Sequence, residues 1–356
     1  MTHASFAERV LAWYQAHGRK DLPWQKNPTP YRVWISEVML QQTQVATVVP
    51  YFQRFMASFP DVAALANAKI DDVLHHWSGL GYYARARNLH KTAVLIQQEF
   101  SGEFPSDIEC IVALPGIGRS TAGAILALSN NQRHAILDGN VKRVLARFHA
   151  VDGYPGTSSV AKKLWKHAQD HTPRERVAEY TQAIMDLGAT VCTRTKPDCG
   201  SCPVVIDCAA HASGKISEYP GKRVATRKPL RKTHMALIHE GGAIYLERRP
   251  SRGIWGGLWS FPEPGSADEL AAWCESQIGA SPVEIERWEI VRHSFTHFDL
   301  EIAPIAMRVQ RSSSRVEDRD DRVWYDMDSP QKLGIAAPVS GLIQKMKEMK
   351  SHVPNG

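Results

Sequence analysis

The sequence predicts two domains of different class, a mainly α domain over the first part of the chain and an α+β domain over the rest. Three observations carry that reading. Apolar residues recur at helical spacing up to about residue 210; alternating, β-rich runs begin near Thr233; and the stretch between them is basic and carries several Pro and Gly residues. A chain of 356 residues is long enough for each half to bury a core of its own.

In chain order, Met1 to Gln15 reads as a charged amphipathic helix rather than a signal peptide. Helical periodicity continues through Val33 to Phe55, Val73 to Phe100, Thr121 to Leu128 and Val141 to Val151, with Pro30, Pro60, Pro105 and Pro115 as punctuation. From Ala209 to Lys232 the chain turns basic and carries Gly214, Pro220, Gly221 and Pro229, as a linker would. Strands are expected at Thr233 to Ile238, Ala243 to Arg248, Ile302 to Val309 and Arg322 to Tyr325, with one helix at Ala267 to Ile278. The expected boundaries are a helical domain over 1–212, a basic linker over 213–232 and a second domain over 233–356.

No apolar run reaches the ~18 residues a membrane span needs, so an intracellular protein is expected, with no membrane partner. Up to Ala225 there are 25 Lys and Arg against 19 Asp and Glu, and beyond it 18 against 18, so the whole net charge of +6 lies in the first part. That asymmetry suits contact with a polyanion, although many solvated surfaces carry as much charge. Six cysteines, four of them between Cys192 and Cys208, do not form a secreted disulfide framework. Cys192, Cys199, Cys202 and Cys208 follow the pattern C-x6-C-x2-C-x5-C. A zinc knuckle usually shows two tight pairs; thiolate-only ligation with uneven spacing suits an iron-sulfur cube instead. Arg194 and Lys196 share that loop and are placed to meet phosphates.

The segment Leu114-Pro115-Gly116-Ile117-Gly118-Arg119-Ser120-Thr121 joins two helices by a short turn. Gly116 and Gly118 let the backbone turn sharply and leave its amides open, and the next helix start offers further N–H donors to a phosphate. This is a helix-hairpin-helix grip on DNA, more than a plain turn, because the paired glycines open directly onto Arg119, Ser120 and Thr121. Beyond it, Asp138 in Leu137-Asp138-Gly139-Asn140 precedes another helix. Alone it is a helix cap; after a DNA grip it is also a carboxylate beside the held strand. Glu37 lies on the helix that Pro30 opens, among aliphatic neighbours that should disfavour its ionised form and suit a general acid. Spacing alone describes a solvated helix glutamate equally well. The polar run Gln41-Gln42-Thr43-Gln44 could hydrogen-bond an orphaned base.

Ser-Glu-Val-Met-Leu-Gln-Gln-Thr-Gln from Ser36, Gly-Leu-Gly-Tyr-Tyr-Ala-Arg-Ala-Arg from Gly79, Leu-Pro-Gly-Ile-Gly from Leu114, Leu-Asp-Gly-Asn from Leu137 and the cysteine quartet together resemble the MutY-type adenine DNA glycosylases. The resemblance spans essentially the whole chain. It implies an endonuclease III-like helix-hairpin-helix domain with a [4Fe-4S] cluster on the 192–208 loop. It also implies removal of adenine mispaired with 8-oxoguanine or guanine in double-stranded DNA, by a monomer acting in the cytoplasm at the nucleoid of a bacterium. By the same resemblance Glu37 protonates the adenine, Asp138 stabilises the oxocarbenium-like sugar, and Asn140 holds Asp138 or its water. Arg19, Trp24, Leu40, Gln182 and Met185 line the pocket for the flipped base, while Gln42, Thr43 and Tyr82 enter the duplex.

Bifunctional relatives carry a lysine where this chain has Ser120, so strand cleavage through a Schiff base is not expected; what Ser120 does for the sugar chemistry stays open. The region from Thr233 resembles a Nudix domain without its catalytic signature, since Ala272 to Gly279 has no paired carboxylates for a metal. The resemblance assigns Phe295, Thr296 and His297 to recognition of 8-oxoguanine, favoured over a strand end packed by Phe295 and His297, and Trp255 to Trp259 reads as structural. Three rivals are disfavoured: a pyrimidine glycosylase with lyase activity by Ser120 and by the extra domain, a non-catalytic iron-sulfur protein by Glu37 with Asp138, and a nucleotide hydrolase by the missing carboxylates.

Overall fold

The computed structural model describes residues 4–223, 227–264, 269–311 and 321–351. The chain forms two compact units, Met1–Asn67 with Asn88–Ala225, and Ala68–Arg87 with Thr226–Gly356. No described helix is long and apolar enough to cross a membrane.

In the first unit, α1 (Phe6–His17) starts at a capping box in which Ser5 accepts from the Glu8 amide and Glu8 accepts from the Ser5 amide. Next come α2 (Pro30–Leu40), α3 (Val45–Ser58) and α4 (Val62–Asn67). Thr29 caps α2, and Pro30 occupies its first turn, where a missing N–H costs nothing. The single helix expected from Val33 to Phe55 is therefore two. Gln41 leaves helical geometry and Gln42 sits left-handed at φ 59°, so the polar run forms a turn rather than a helix face. Likewise Val73 to Phe100 splits into α5 (Ile70–Trp77), which belongs to the second unit, and α6 (Ala84–Glu99), which belongs to the first from Asn88 on, with Gly79, Gly81 and Tyr82 all at positive φ between them. Hydrophobic periodicity survives both breaks because the flanking helices still bury apolar faces.

The first unit continues with α7 (Ile108–Ala113), α8 (Arg119–Asn130), α9 (Gly139–Phe148), α10 (Ser158–His171) and α11 (Val177–Asp186). A π-turn, Leu187–Val191, runs on from α11 toward the cysteine loop, which ends at the short α12 (Ala209–Ala212). Helices α2 and α8 pack together, as do α8 and α11 and α1 and α11. One core cluster is built on Val10, Leu145, Leu164, Ala183 and Leu187, all fully buried.

In the second unit, β1 (Leu230–Glu240), β2 (Ala243–Arg248), β3 (Trp259–Ser260), β4 (Ala280–Arg287), β5 (Val291–Ser294), β6 (Asp299–Arg311) and β7 (Arg322–Asp326) form one mixed sheet. Its centre is the parallel β1–β6 pair, with Thr233 opposite Ile302 and Ile238 opposite Met307. The unit also has α13 (Leu270–Ile278), which packs against β4, and α14 (Ala337–Ser351). The four expected strands are present, β2 with the expected bounds and the other three longer. The short β3, the largely exposed β4 and β5, and α14 were not foreseen, since exposed strands lack the apolar alternation by which strands are read. The expected start of the α13 helix, Ala267, lies outside the described residues, as do residues 224–226 of the basic linker.

Candidate active site and cysteine loop

Asp138 is both a helix cap and a member of an acidic pair. Its Oδ1 accepts the Val141 N–H at 2.8 Å, capping α9, and its Oδ2 accepts from Asn140 Nδ2 at 3.0 Å. Burial raises its pKa above the ordinary carboxylate value, and these two donors and the Arg143 charge oppose that rise only in part. Arg143 continues the chain, donating to Asn140 Oδ1 at 2.7 Å and to the Gly188 carbonyl of the π-turn at 2.6 Å. Gly188 has no room for a side chain, since a Cβ there would lie 2.6 Å from that of Asn140.

Glu37, on α2, is the contrasting member. Its residue surface is only partly covered, yet protein surrounds the carboxyl; burial first, and then the charge of Asp138, push its pKa up to about 8 from an ordinary 4.5. The two carboxyls are therefore neighbours, which sequence spacing does not reveal. One has donors that favour its anion. The other is held as a neutral acid at neutral pH.

Arg19 and Gln182 meet on a residue that the motif reading passed over. Asp186, fully buried, accepts from Arg19 Nε at 3.0 Å, from the Arg19 backbone N–H at 2.8 Å and from Gln182 Nε2 at 2.9 Å. The four-residue spacing of Gln182 and Asp186 on α11 was the available signal. Trp24 is buried edge-on against Phe52, Leu40 is half-buried at the end of α2, and Met185 packs beside the core around Leu187. Gln42 is exposed on the turn after α2, with Thr43 half-buried next to it.

In the hairpin between α7 and α8, Gly116 adopts φ 78°, and a Cβ there would lie 2.8 Å from Asn88, so both conformation and space require glycine. Gly118 caps α8 and is exposed. The Arg119 guanidinium lies 4.2 Å over the Trp165 ring. Ser120 Oγ accepts the Leu137 N–H at 2.9 Å, tying α8 to the residue before Asp138.

The four cysteines line one concavity together with Val144, Arg147 and Val191. Burial raises the thiol pKa of Cys199 and Cys208 and pushes that of Cys202 up to about 11. Arg147, buried, donates to Cys192 Sγ at 3.3 Å and to the Thr193 carbonyl at 2.7 Å. Arg194 and Lys196 are exposed on the loop. Among the described residues, no three His, Cys, Asp or Glu side chains gather as they would around a single metal ion.

In the second unit, Phe295 packs into an aromatic group, stacked on Phe298 at 4.5 Å between ring centres and 5.6 Å from Trp255. Thr296 and His297 are exposed at the tip between β5 and β6.

Two family models match the chain, a superfamily of helix-hairpin-helix base excision DNA repair proteins over residues 35–170 and a NUDIX domain over 233–345. The adenine DNA glycosylase of Buchnera aphidicola subsp. Acyrthosiphon pisum (strain APS) is 40% identical over 98% of this chain and 99% of its own. The chain belongs to the adenine DNA glycosylase family. It is a glycosylase of base excision repair, and it binds DNA. Among solved structures, a thermostable thymine-DNA glycosylase (24% identical, TM-score 0.52) covers 58% of this adenine DNA glycosylase chain and 95% of its own. A non-covalent endonuclease III–DNA complex (20% identical, TM-score 0.50) covers 58% and 94%. These likenesses give the helical unit an endonuclease III-like fold.

Proposed function

We propose that the protein is a monofunctional glycosylase that flips out adenine mispaired with 8-oxoguanine or guanine and hydrolyses its glycosidic bond, leaving an abasic site. The observation that carries this reading is the carboxyl pair, Glu37 raised to about 8 beside an Asp138 whose two oxygens are fixed by the Val141 and Asn140 donors. Glu37 gives its proton to a ring nitrogen of adenine, and the base departs with the electrons of the C–N bond. Asp138 stabilises the positive charge left on the sugar, and water then adds to it. Asn140 fixes the Asp138 carboxylate. Arg19, Trp24, Leu40, Gln182 and Met185 form the base pocket, held from behind by Asp186. Gln42, Thr43 and Tyr82 enter the duplex, and the Gly116–Ser120 hairpin grips its backbone.

The donor set of the loop fits a [4Fe-4S] cluster: Cys192, Cys199, Cys202 and Cys208 are all thiols, all face one concavity, and lie beside the buried charge of Arg147. When bound, the cluster would cross-link the loop and so support Arg194 and Lys196 against phosphates. In the C-terminal unit, α13 offers Glu275 without a second carboxylate, which favours recognition of the opposite base over metal-dependent hydrolysis. Thr296 and His297 are its solvent-facing candidates. The protein acts as a monomer, at the nucleoid of a bacterial cytoplasm.

The deciding experiment incubates the protein with a duplex carrying adenine opposite 8-oxoguanine and follows free adenine, and strand breaks before and after alkali. Adenine release with breaks only after alkali is expected; no release, or breaks before alkali, overturns the proposal. Asp138→Asn should abolish release while duplex binding persists.

A further inference from the structure

Tyr82 presents an aromatic ring that is 47% exposed, from a backbone at φ 49°, with Gly79 and Gly81 also left-handed at φ 98° and 71°. A non-glycine residue at positive φ persists only where its surroundings hold it. The surroundings here come from far along the chain. Residues 68–87 belong to the same compact unit as the C-terminal sheet.

Three residues of the segment make four hydrogen bonds to that sheet and its loops. On α5, Asp71 accepts from Arg248 of β2 at 2.6 Å and from the Trp259 indole of β3 at 3.2 Å. Tyr83, buried, donates its hydroxyl to the Ile335 carbonyl at 3.1 Å. Arg87 donates to the Gly256 carbonyl at 2.5 Å. Packing matches the polar ties: Gly334 approaches α5 so closely that a Cβ would lie 2.4 Å from that of Leu74. Within the loop, Arg85 donates to the Leu80 and Gly81 carbonyls at 3.2 Å each and lies 5.5 Å from the Tyr82 ring centre.

We propose that Asp71, Tyr83 and Arg87 are positioning residues, through which the C-terminal sheet sets the posture of Tyr82, and that discrimination for the base opposite adenine passes through this brace. The inference rests on the proposed specificity and on Tyr82 entering the duplex. Its physical basis is that a side chain forced between bases must offset an unstacking cost of a few kcal/mol, and it does so best when its own conformational freedom has already been lost. A sheet that reads the opposite base and also holds the wedge makes the two events one.

The experiment measures single-turnover adenine release by the full-length protein from duplexes with 8-oxoguanine or guanine opposite adenine. Variants are Tyr83→Phe, Asp71→Ala and Gly334→Ala, each alone and combined with Tyr82→Ala. Tyr83→Phe should lower the ratio of the two rates by about threefold to tenfold, the size of one lost hydrogen bond, mainly by slowing the 8-oxoguanine duplex; Asp71→Ala, which loses two bonds, and Gly334→Ala, which pushes against Leu74, should lower it at least as much. In the Tyr82→Ala background the same substitutions should cause no further loss of that ratio. Additive losses, or an unchanged ratio in a Tyr83→Phe protein with native circular dichroism and duplex affinity, overturn the proposal. If the unsubstituted protein releases adenine equally from both duplexes, the specificity reading fails instead, and the brace with it.

Discussion

Replacing Glu37 by Gln should make the protein inactive and more stable at once. The perturbation keeps the shape of the side chain and removes its ionisation. In the folded protein the carboxyl titrates at about 8, raised by burial and then by Asp138; in the unfolded chain it returns to 4.5. A carboxyl raised by folding contributes its full stability below the unfolded value and loses it as pH rises to the folded one. Between pH 4.5 and 7 the unfolded chain gains a charge that the folded protein does not. At about 1.36 kcal/mol per pH unit, that penalises the wild-type protein by up to about 3 kcal/mol at pH 7, and by about 5 kcal/mol above pH 8. Glutamine carries none of this. Urea unfolding of both proteins, followed by tryptophan fluorescence at about pH 5, 7 and 9, should therefore show a Gln advantage that is small at the first pH and grows toward the last. Adenine release by the wild type should fall as pH rises through about 8 and be absent in the variant at every pH. An advantage that does not grow with pH, or a release rate flat across that limb, would show that Glu37 is not held as a neutral acid.

Three other substitutions probe separate parts. Asp186→Asn weakens the shared acceptor of Arg19 and Gln182; because the lost bonds are charge-assisted, release from a saturating duplex should drop by about tenfold or more, with little change in duplex affinity measured by gel shift. Gly116→Ala places a methyl against Asn88 at φ 78°, at a cost of about 1 to 2 kcal/mol from backbone strain alone; urea unfolding should register it, and duplex affinity should weaken most at low salt. Cys199→Ser should bleach the broad absorbance near ~400 nm expected of the purified protein and lower its iron content, whereas a colourless, zinc-containing wild type would refute the iron-sulfur assignment.

The legible features were those encoded over short distances. Pro30 behind Thr29, the paired glycines before Arg119 and the uneven cysteine spacing each state a local geometry, and the structure has a capped helix, a tight hairpin and four thiols around one hollow at those places. Periodicity misled at Gln41–Gln44 and at Gly79–Tyr83. Apolar residues on either side of each break are buried, so the pattern runs on while the backbone does not.

By itself, then, the sequence determined the class of each half, the hairpin and the cysteine quartet, because local chemistry and spacing specify each of them; the two candidate carboxylates were singled out by the resemblance, since taken alone one is a helix cap and the other a solvated glutamate. Only the tertiary structure decided that Glu37 and Asp138 share one environment, that Asp186 holds Arg19 and Gln182, and that the Tyr82 loop belongs with the C-terminal sheet. A raised pKa, a buried acceptor and a brace are properties of neighbours, and these neighbours lie far apart along the chain.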